Sequence, residues 1–393
     1  MPRPPRTEFP EPVLVTTTAE LDALCTRLRA EEFVTVDTEF MRERTYWPEL
    51  CVVQLAGTND VAVVDALAPG LDLAPLGALL ADPSVTKVFH AARQDNEIFV
   101  LKFGAVPTPL FDTQIAAMVA GFGDQVGYDA LVASLAGGAI DKAHRFSDWA
   151  ARPLSPAQIA YAAADVTYLR VVYERLKARL EREGRLDWVG EEMGILTQTE
   201  TYRPNPEAMW ERLKPRTTNR RFLGILRAIA AWREREAQRV NIPRGRLVKD
   251  EALLELAAIA PVTVDALSRA RGISRGFAEG KTGASLIDAV QAAKDLPDDA
   301  MPELPRGRDG PRPSPALVSL LKVLLAAGAD QHHVAARLLA SSDDIDRLAT
   351  EDEPDIPALH GWRRDIFGND ALALKEGKVA IGVEGRRIRL IRL

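Results

Sequence analysis

Three short stretches near the start of the chain concentrate apolar and β-branched residues: FVTVDTEF from residue 33, ELCVVQLAG from 49 and VAVVDAL from 61. Runs of this length and make-up predict strands, and their short connections suit an antiparallel meander. Residues 18–30 carry apolar positions at helical spacing. Residues 73–81 predict a helix and 86–91 (TKVFHA) a further strand. Helices are predicted over 93–103, 112–121, 128–137 and 155–183. Three antiparallel strands followed by alternating helix and strand define an α/β pattern with a mixed sheet.

The pattern changes beyond residue 183. A break is predicted over 184–206, where TETYRPNPEA places prolines at 204 and 206 in a polar stretch. Residues 207–292 are helical by periodicity, with caps such as Thr263. LPDDAMPELPRGRDGPRPSPA (296–316) is rich in proline and glycine and predicts a flexible linker. Residues 317–374 are helical again. The end, KVAIGVEGRRIRLIRL, reads as a β-hairpin turning at Glu384–Gly385. The expected domains are therefore 1–200, 207–292 and 317–393, with 296–316 as linker. The length of 393 residues suits two or three domains.

Composition narrows the class. Apolar content of 47% is enough for ordinary cores, and no apolar run reaches a membrane span. The N-terminus, MPRPPRTEFPEP, has no apolar core of a secretory signal. Cys25 and Cys51 share no ligand spacing, so reduced thiols in a cytoplasmic protein are expected. Net charge is −6, yet Arg212–Lys249 holds twelve Lys and Arg against Glu234 and Glu236. That local +10 is a candidate phosphate-contacting stripe, or a solvated helix face.

The chemistry concentrates in four acids and a tyrosine. Asp37 and Glu39 (VDTEF) are two apart on a strand and project to one face at its end. Asp95 lies in HAARQDNEIF. Tyr161 and Asp165 (YAAADVTYL) are four apart on a helix and share a face. Singly, such residues are commonly caps or surface groups. Together they suit a site for divalent cations, which prefer carboxylate oxygens.

These blocks, with DKAHRFSDWAARPLS between them, resemble the exonuclease motifs of the DEDD superfamily in its tyrosine-bearing subgroup. The chain as a whole resembles the ribonuclease D family from about residue 12 to 290. Residues 207–292 resemble the HRDC domain shared with RecQ helicases, and 317–393 a diverged second copy ending in the hairpin. The resemblance implies a ribonuclease H-like, mixed-sheet 3′-5′ exonuclease domain followed by one or two small helical bundles. It implies hydrolysis of RNA from its 3′ end to nucleoside 5′-monophosphates, in maturation of transfer RNA and other stable RNAs. Two cations, Mg²⁺ or Mn²⁺, are expected on Asp37, Glu39, Asp95 and Asp165. Asp37 would bridge them, Asp95 would hold the second through water, and Tyr161 would orient the attacking water. Phe40, Met41, His90, Lys142 and Arg145 are candidate substrate contacts. Arg42, Arg44 and Arg152 are further basic residues near the motifs.

RNA is the expected partner, in the form of transfer-RNA precursors or 3′-tailed structured RNA. No membrane and no obligate protein partner are expected. Two alternatives stay open: a DNA 3′-5′ exonuclease, and a non-catalytic RNA-binding protein on a nuclease fold. GFAEGKT (276–282) imitates the end of a P-loop, but Arg275 stands where the first glycine is needed, so it reads as a loop between bundle helices.

Overall fold

The computed structural model describes residues 9–145, 147–303 and 313–393. The chain forms two compact units. One holds the described residues up to Glu39, then Cys51–Tyr202, then 313–393; the other holds Phe40–Leu50 and 203–303. Contiguous segments were expected, so both the excursion at 40–50 and the return of the C-terminal part to the first unit differ from the sequence reading.

The first unit is built on a six-stranded mixed sheet in the order β1-β4-β3-β2-β5-β6. Its elements are β1 (Val13–Val15), α1 (Thr18–Leu28), β2 (Phe33–Met41), β3 (Glu49–Ala56), β4 (Val61–Asp65), α2 (Ala74–Leu80), β5 (Thr86–Phe89), α3 (Arg93–Phe103), β6 (Leu110–Asp112), α4 (Thr113–Val119), α5 (Tyr128–Leu131), α6 (Pro156–Arg182) and α7 (Leu186–Leu196). β3 and β4 pair antiparallel, whereas β1–β4, β2–β5 and β5–β6 are parallel. The three-residue strands β1 and β6 escape a period-2 reading because they are too short to show one. Leu50, Cys51, Val52 and Val53 are all buried in β3, which explains its unbroken apolar run.

Two helices differ from expectation. The helix expected over 128–137 is α5 followed by a π turn, Val132–Ala136, closed by Gly137 in the left-handed region. The expected break at 184–206 contains α7, which two glycines and three acids disguise. α7 buries Val189 and Met193, and its Trp188 stacks on Trp362 at 4.5 Å and 7°. No helix among the described residues is long and apolar enough to cross a membrane.

The second unit is a helical bundle: α8 (Arg220–Val240), α9 (Arg244–Leu247), α10 (Asp250–Ile259), α11 (Val264–Ser268), α12 (Arg275–Glu279) and α13 (Lys281–Asp295). Leu223, Leu226, Ile229, Leu253, Leu256, Leu286 and Val290 form its core. GFAEGKT is not a loop: α12 runs through it, and Gly280 both ends α12 and starts α13. The expected linker is also partly ordered. Met301 is buried against Gly224, where a Cβ would collide with its Sδ, and its carbonyl accepts from Arg220 at 2.8 Å. Residues 304–312 of that linker lie outside the described residues.

The chain then re-enters the first unit as α14 (Pro315–His332), α15 (Ala336–Leu339), α16 (Ser342–Thr350), α17 (Gly361–Arg363), α18 (Asn369–Lys375) and the antiparallel hairpin β7 (Val379–Glu384) and β8 (Arg387–Arg392). The turn falls at Gly385–Arg386, one residue later than expected, with Gly385 at φ +62°. Arg363 forms an ion pair with Glu192 of α7, and Arg185 donates to the carbonyl of His332 at 2.8 Å.

Candidate active site

β2 lies inside the sheet, and alternation along it sorts its residues. Val34 and Val36 are fully buried, while Thr35, Asp37 and Glu39 share the other face. Thr35 donates its hydroxyl to the carbonyl of Val166 at 2.8 Å. That bond fixes β2 against α6 one residue beyond Asp165. α6 itself is a well-started helix: Ser155 and Gln158 form a capping box and Pro156 occupies the first turn. Tyr128 donates its hydroxyl to the carbonyl of Asp165 at 2.6 Å, holding the same turn from α5.

The result is that Asp37, Glu39 and Asp165 each place a carboxylate oxygen within 4.8 Å of the others. Asp95 stands outside this trio, in the first turn of α3, where it accepts a hydrogen bond from the Thr38 hydroxyl. Asp112 shapes the approach to α3. Its two oxygens accept from the amides of Ala91 and Ala92 at 3.0 and 2.9 Å, and Ala91 adopts φ +60°. Tyr161 lies one helical turn before Asp165, near enough to lower that carboxylate's pKa, and is flanked by the rings of Trp149 and His144, at 6.0 and 6.5 Å.

Electrostatics follow from this crowding. Burial, then the charges of Asp95, Asp165 and Glu39, hold Asp37 well above the carboxylate range. Burial and the Asp165 and Asp95 charges push Glu39 up to about 8, partly relieved by Arg145. Burial raises Asp165 to about 7, against the opposing influence of the Tyr161 hydroxyl and the charge of Arg145. Burial raises Asp95 to about 6, opposed by the Thr38 bond. Burial and the three nearby carboxylates lift the Tyr161 phenol above its ordinary value. A set of hard oxygen donors that repel one another, with one arginine as partial relief, fits divalent cations: they supply the charge that the protein withholds.

The other predicted residues have mixed fates. Phe40 and Met41 continue β2 beyond Glu39 and are half-buried. Arg145 is exposed, and its charge reaches Glu39 and Asp165. His90 is engaged at Nδ1 by Thr113 Oγ1 at 3.0 Å, with its ring 5.4 Å from that of Tyr128. Lys142 starts a short 3₁₀ turn, and its side chain lies outside the described residues. Arg152 is not available to a phosphate: it binds Asp65 with both Nε and Nη2 (2.8 and 2.6 Å) and caps the Trp149 and Cys51 carbonyls. Thr35, Thr38, Asp112 and Tyr128 are supporting residues that sequence reasoning missed. The capping pattern of Asp112 before α4 was the one local signal.

The basic stripe is also thinner than its count. Arg220, Arg221, Arg233, Arg235, Arg239 and Arg244 are ion-paired with Glu303, Asp298, Asp250, Glu207, Glu236 and Glu234. Four of those acids lie outside the 212–249 window. Arg212, Lys214, Arg216, Arg246 and Lys249 have no ion pair among the described residues.

A mixed-sheet α/β domain with this acidic site, followed by a small helical bundle, defines a 3′-5′ exonuclease carrying an HRDC domain. Residues 12–181 match the family described as 3′-5′ exonuclease, and residues 222–290 match the HRDC domain. The chain is 68% identical to ribonuclease D of Granulibacter bethesdensis over 392 residues, covering 100% of this chain and 99% of that one. It is 48% identical to ribonuclease D of Nitrobacter hamburgensis, covering 96% and 99%. Among solved structures it is similar to Escherichia coli RNase D, described as an exoribonuclease involved in structured RNA processing. That match has a TM-score of 0.79 and 31% identity, covering 94% of this chain and 99% of that one. The chain belongs to the ribonuclease D family, a family of 3′-5′ exoribonucleases.

Proposed function

We propose that the chain trims the single-stranded 3′ tails of structured RNA, transfer-RNA precursors above all, releasing nucleoside 5′-monophosphates by metal-dependent hydrolysis. The observation that carries this reading is the meeting of Asp37, Glu39 and Asp165 within 4.8 Å, with Tyr161 one helical turn before Asp165. Asp37, Glu39 and Asp165 would hold one Mg²⁺ or Mn²⁺, and Asp37 with Asp95 a second. Bound there, divalent cations supply the positive charge that acidifies a water and stabilises the phosphate and the leaving oxygen.

The chain's own residues do the positioning. Tyr161 stays protonated at neutral pH, because burial and three carboxylates raise its pKa, so its hydroxyl orients a water rather than deprotonating it. Arg145 offers its charge to a phosphate beside Glu39 and Asp165, and Lys142 stands three residues before it. Phe40 and Met41 present apolar surface to the terminal base, and His90 lies beside the turn that opens α3. The cations of the second unit without an ion partner would hold the RNA backbone. RNA is favoured over DNA by the relatives' activity. The buried thiols of Cys25 and Cys51 suit the reducing cytoplasm.

The test is digestion of a 5′-labelled RNA with a duplex stem and a 3′ tail, beside a DNA of matched sequence, in Mg²⁺, in Mn²⁺ and in excess chelator. A ladder that shortens from the 3′ end and halts near the stem, with monophosphate release that chelator abolishes, is expected. Internal cleavage, or cutting that survives chelation, would reject the reading.

A further inference from the structure

The boundary between the two compact units cuts β2 between Glu39 and Phe40. The segment that follows is clasped by the helical bundle at two points. At the first, buried Tyr46 donates its hydroxyl to Glu234 of α8, and the same oxygen accepts from Arg244 at 3.0 Å and Gln238 at 3.2 Å. Arg244 also pairs with Glu234 and lies 5.0 Å over the Tyr46 ring. Glu234 is fully buried, an unusual state for a glutamate without a specific task. At the second, Asn241 ends α8 in the left-handed region at φ +52°, which turns its amide toward the loop. Its Oδ1 accepts from the amides of both Tyr46 and Trp47, at 3.1 and 3.0 Å.

We propose that this clasp makes Tyr46, Glu234 and Asn241 positioning residues for the exonuclease reaction. The HRDC bundle thereby contributes to turnover as well as to RNA binding. The inference rests on the reading of Asp37 and Glu39 as part of the reactive site. Its physical basis is continuity: Glu39, Phe40 and Met41 lie on one strand whose onward chain is anchored five residues past Met41. A strand end held at one side by Thr35 and Thr38 and at the other by Tyr46 has little freedom. An end released at Tyr46 lets Glu39 and the base-facing residues drift, and small misplacements of reacting groups are costly. Because the substrate still binds but reacts from a looser geometry, the loss falls on kcat rather than KM.

The experiment uses the full chain and three variants, Tyr46→Phe, Asn241→Gly and Glu234→Gln, each assayed well below its melting temperature. Glycine at 241 keeps the left-handed backbone and removes only the acceptor. The substrates are a trinucleotide RNA and a 3′-tailed stem. Hydrogen exchange over residues 40–50 reports whether the loop is released. Expected are faster exchange of the Tyr46 and Trp47 amides, kcat on the trinucleotide lower by roughly tenfold, and KM within twofold. Combining Tyr46→Phe with Glu234→Gln should cost less than the two losses added together, because both act on the Tyr46–Glu234 bond. Faster exchange with kcat within twofold of wild type overturns the inference, and so does unchanged exchange in all three variants. A wild-type chain that cuts neither RNA rejects the exonuclease reading and this inference with it. A wild-type chain that cuts while the released variants keep their kcat rejects this inference alone.

Discussion

The Tyr161 phenol and the Asp165 carboxylate, one helical turn apart on α6, act on each other: burial raises both, the carboxylate raises the phenol further, and the phenol lowers the carboxylate. The rings of Trp149 and His144 flank Tyr161, at 6.0 and 6.5 Å. A protonated phenol beside a carboxylate of the acidic cluster is a hydrogen-bond device. Tyr161→Phe keeps the ring and removes only that device. We expect kcat to fall by roughly 10²-fold with KM nearly unchanged, measured by steady-state hydrolysis of single-stranded RNA. A kcat within threefold of wild type would remove the hydroxyl from the mechanism.

Asp37 feels more carboxylates than any other acid of the site: Asp95, Asp165 and Glu39 all raise it. It is therefore the position from which one lost charge would disturb both of the proposed cations. Asp37→Asn is nearly isosteric and should abolish turnover, while RNA binding, carried by the arginines and lysines, persists. Titration calorimetry with Mn²⁺ should show weaker binding or fewer sites than wild type. Turnover within tenfold of wild type would reject Asp37 as a shared ligand.

The local half of this site was legible because it obeys local rules. Asp37 and Glu39 follow the strand period of two, and Tyr161 and Asp165 follow the helical turn. What brings the two pairs together is not local. The bonds from Thr35 to Val166 and from Thr38 to Asp95 join residues 131 and 57 positions apart, and no periodicity announces them. Arg152 illustrates the same gap: its sequence neighbours suggest a phosphate contact, but Asp65, 87 positions away, has claimed it. α7 was hidden by its glycines and acids, because its reason to be helical is Trp362, far down the chain. The loop at 40–50 reads as a short connection, and only its hydrogen bonds to Glu234 and Asn241 assign it to the bundle.

The cations without ion partners should dominate RNA contact in the second unit. Arg212 and Lys249 line one cavity of about 400 Å³ together with Arg233 and Arg244. Replacing Arg212 and Lys249 by glutamine should weaken binding of a 3′-tailed RNA. It should also make the plot of log affinity against log salt shallower by about 1.4, at about 0.7 per lost phosphate contact. Arg235→Gln, whose side chain is already committed to Glu207, should leave that slope nearly unchanged. Equal slopes for the double variant and wild type would make this face a solvated one.

Glu234 gives the second unit a pH dependence. Burial pushes its carboxyl up, but the bonds from Arg244, Tyr46 and Gln238 outweigh burial and hold it below the ordinary 4.5. A carboxyl held low in the folded chain contributes stability above its unfolded value. That contribution disappears as pH falls from about 4.5 through the folded value. Glu234→Gln removes the charge and should cost about 2 kcal/mol at pH 7, the scale of a hydrogen bond to a charged group. The cost should shrink as pH falls below 4.5, because the wild-type carboxylate is then being protonated. Urea unfolding of wild type and variant at pH 7 and at successive acid steps measures the difference. A gap that stays constant from pH 7 down to pH 3 would mean that the Glu234 charge contributes nothing to holding Tyr46 and Arg244 in place.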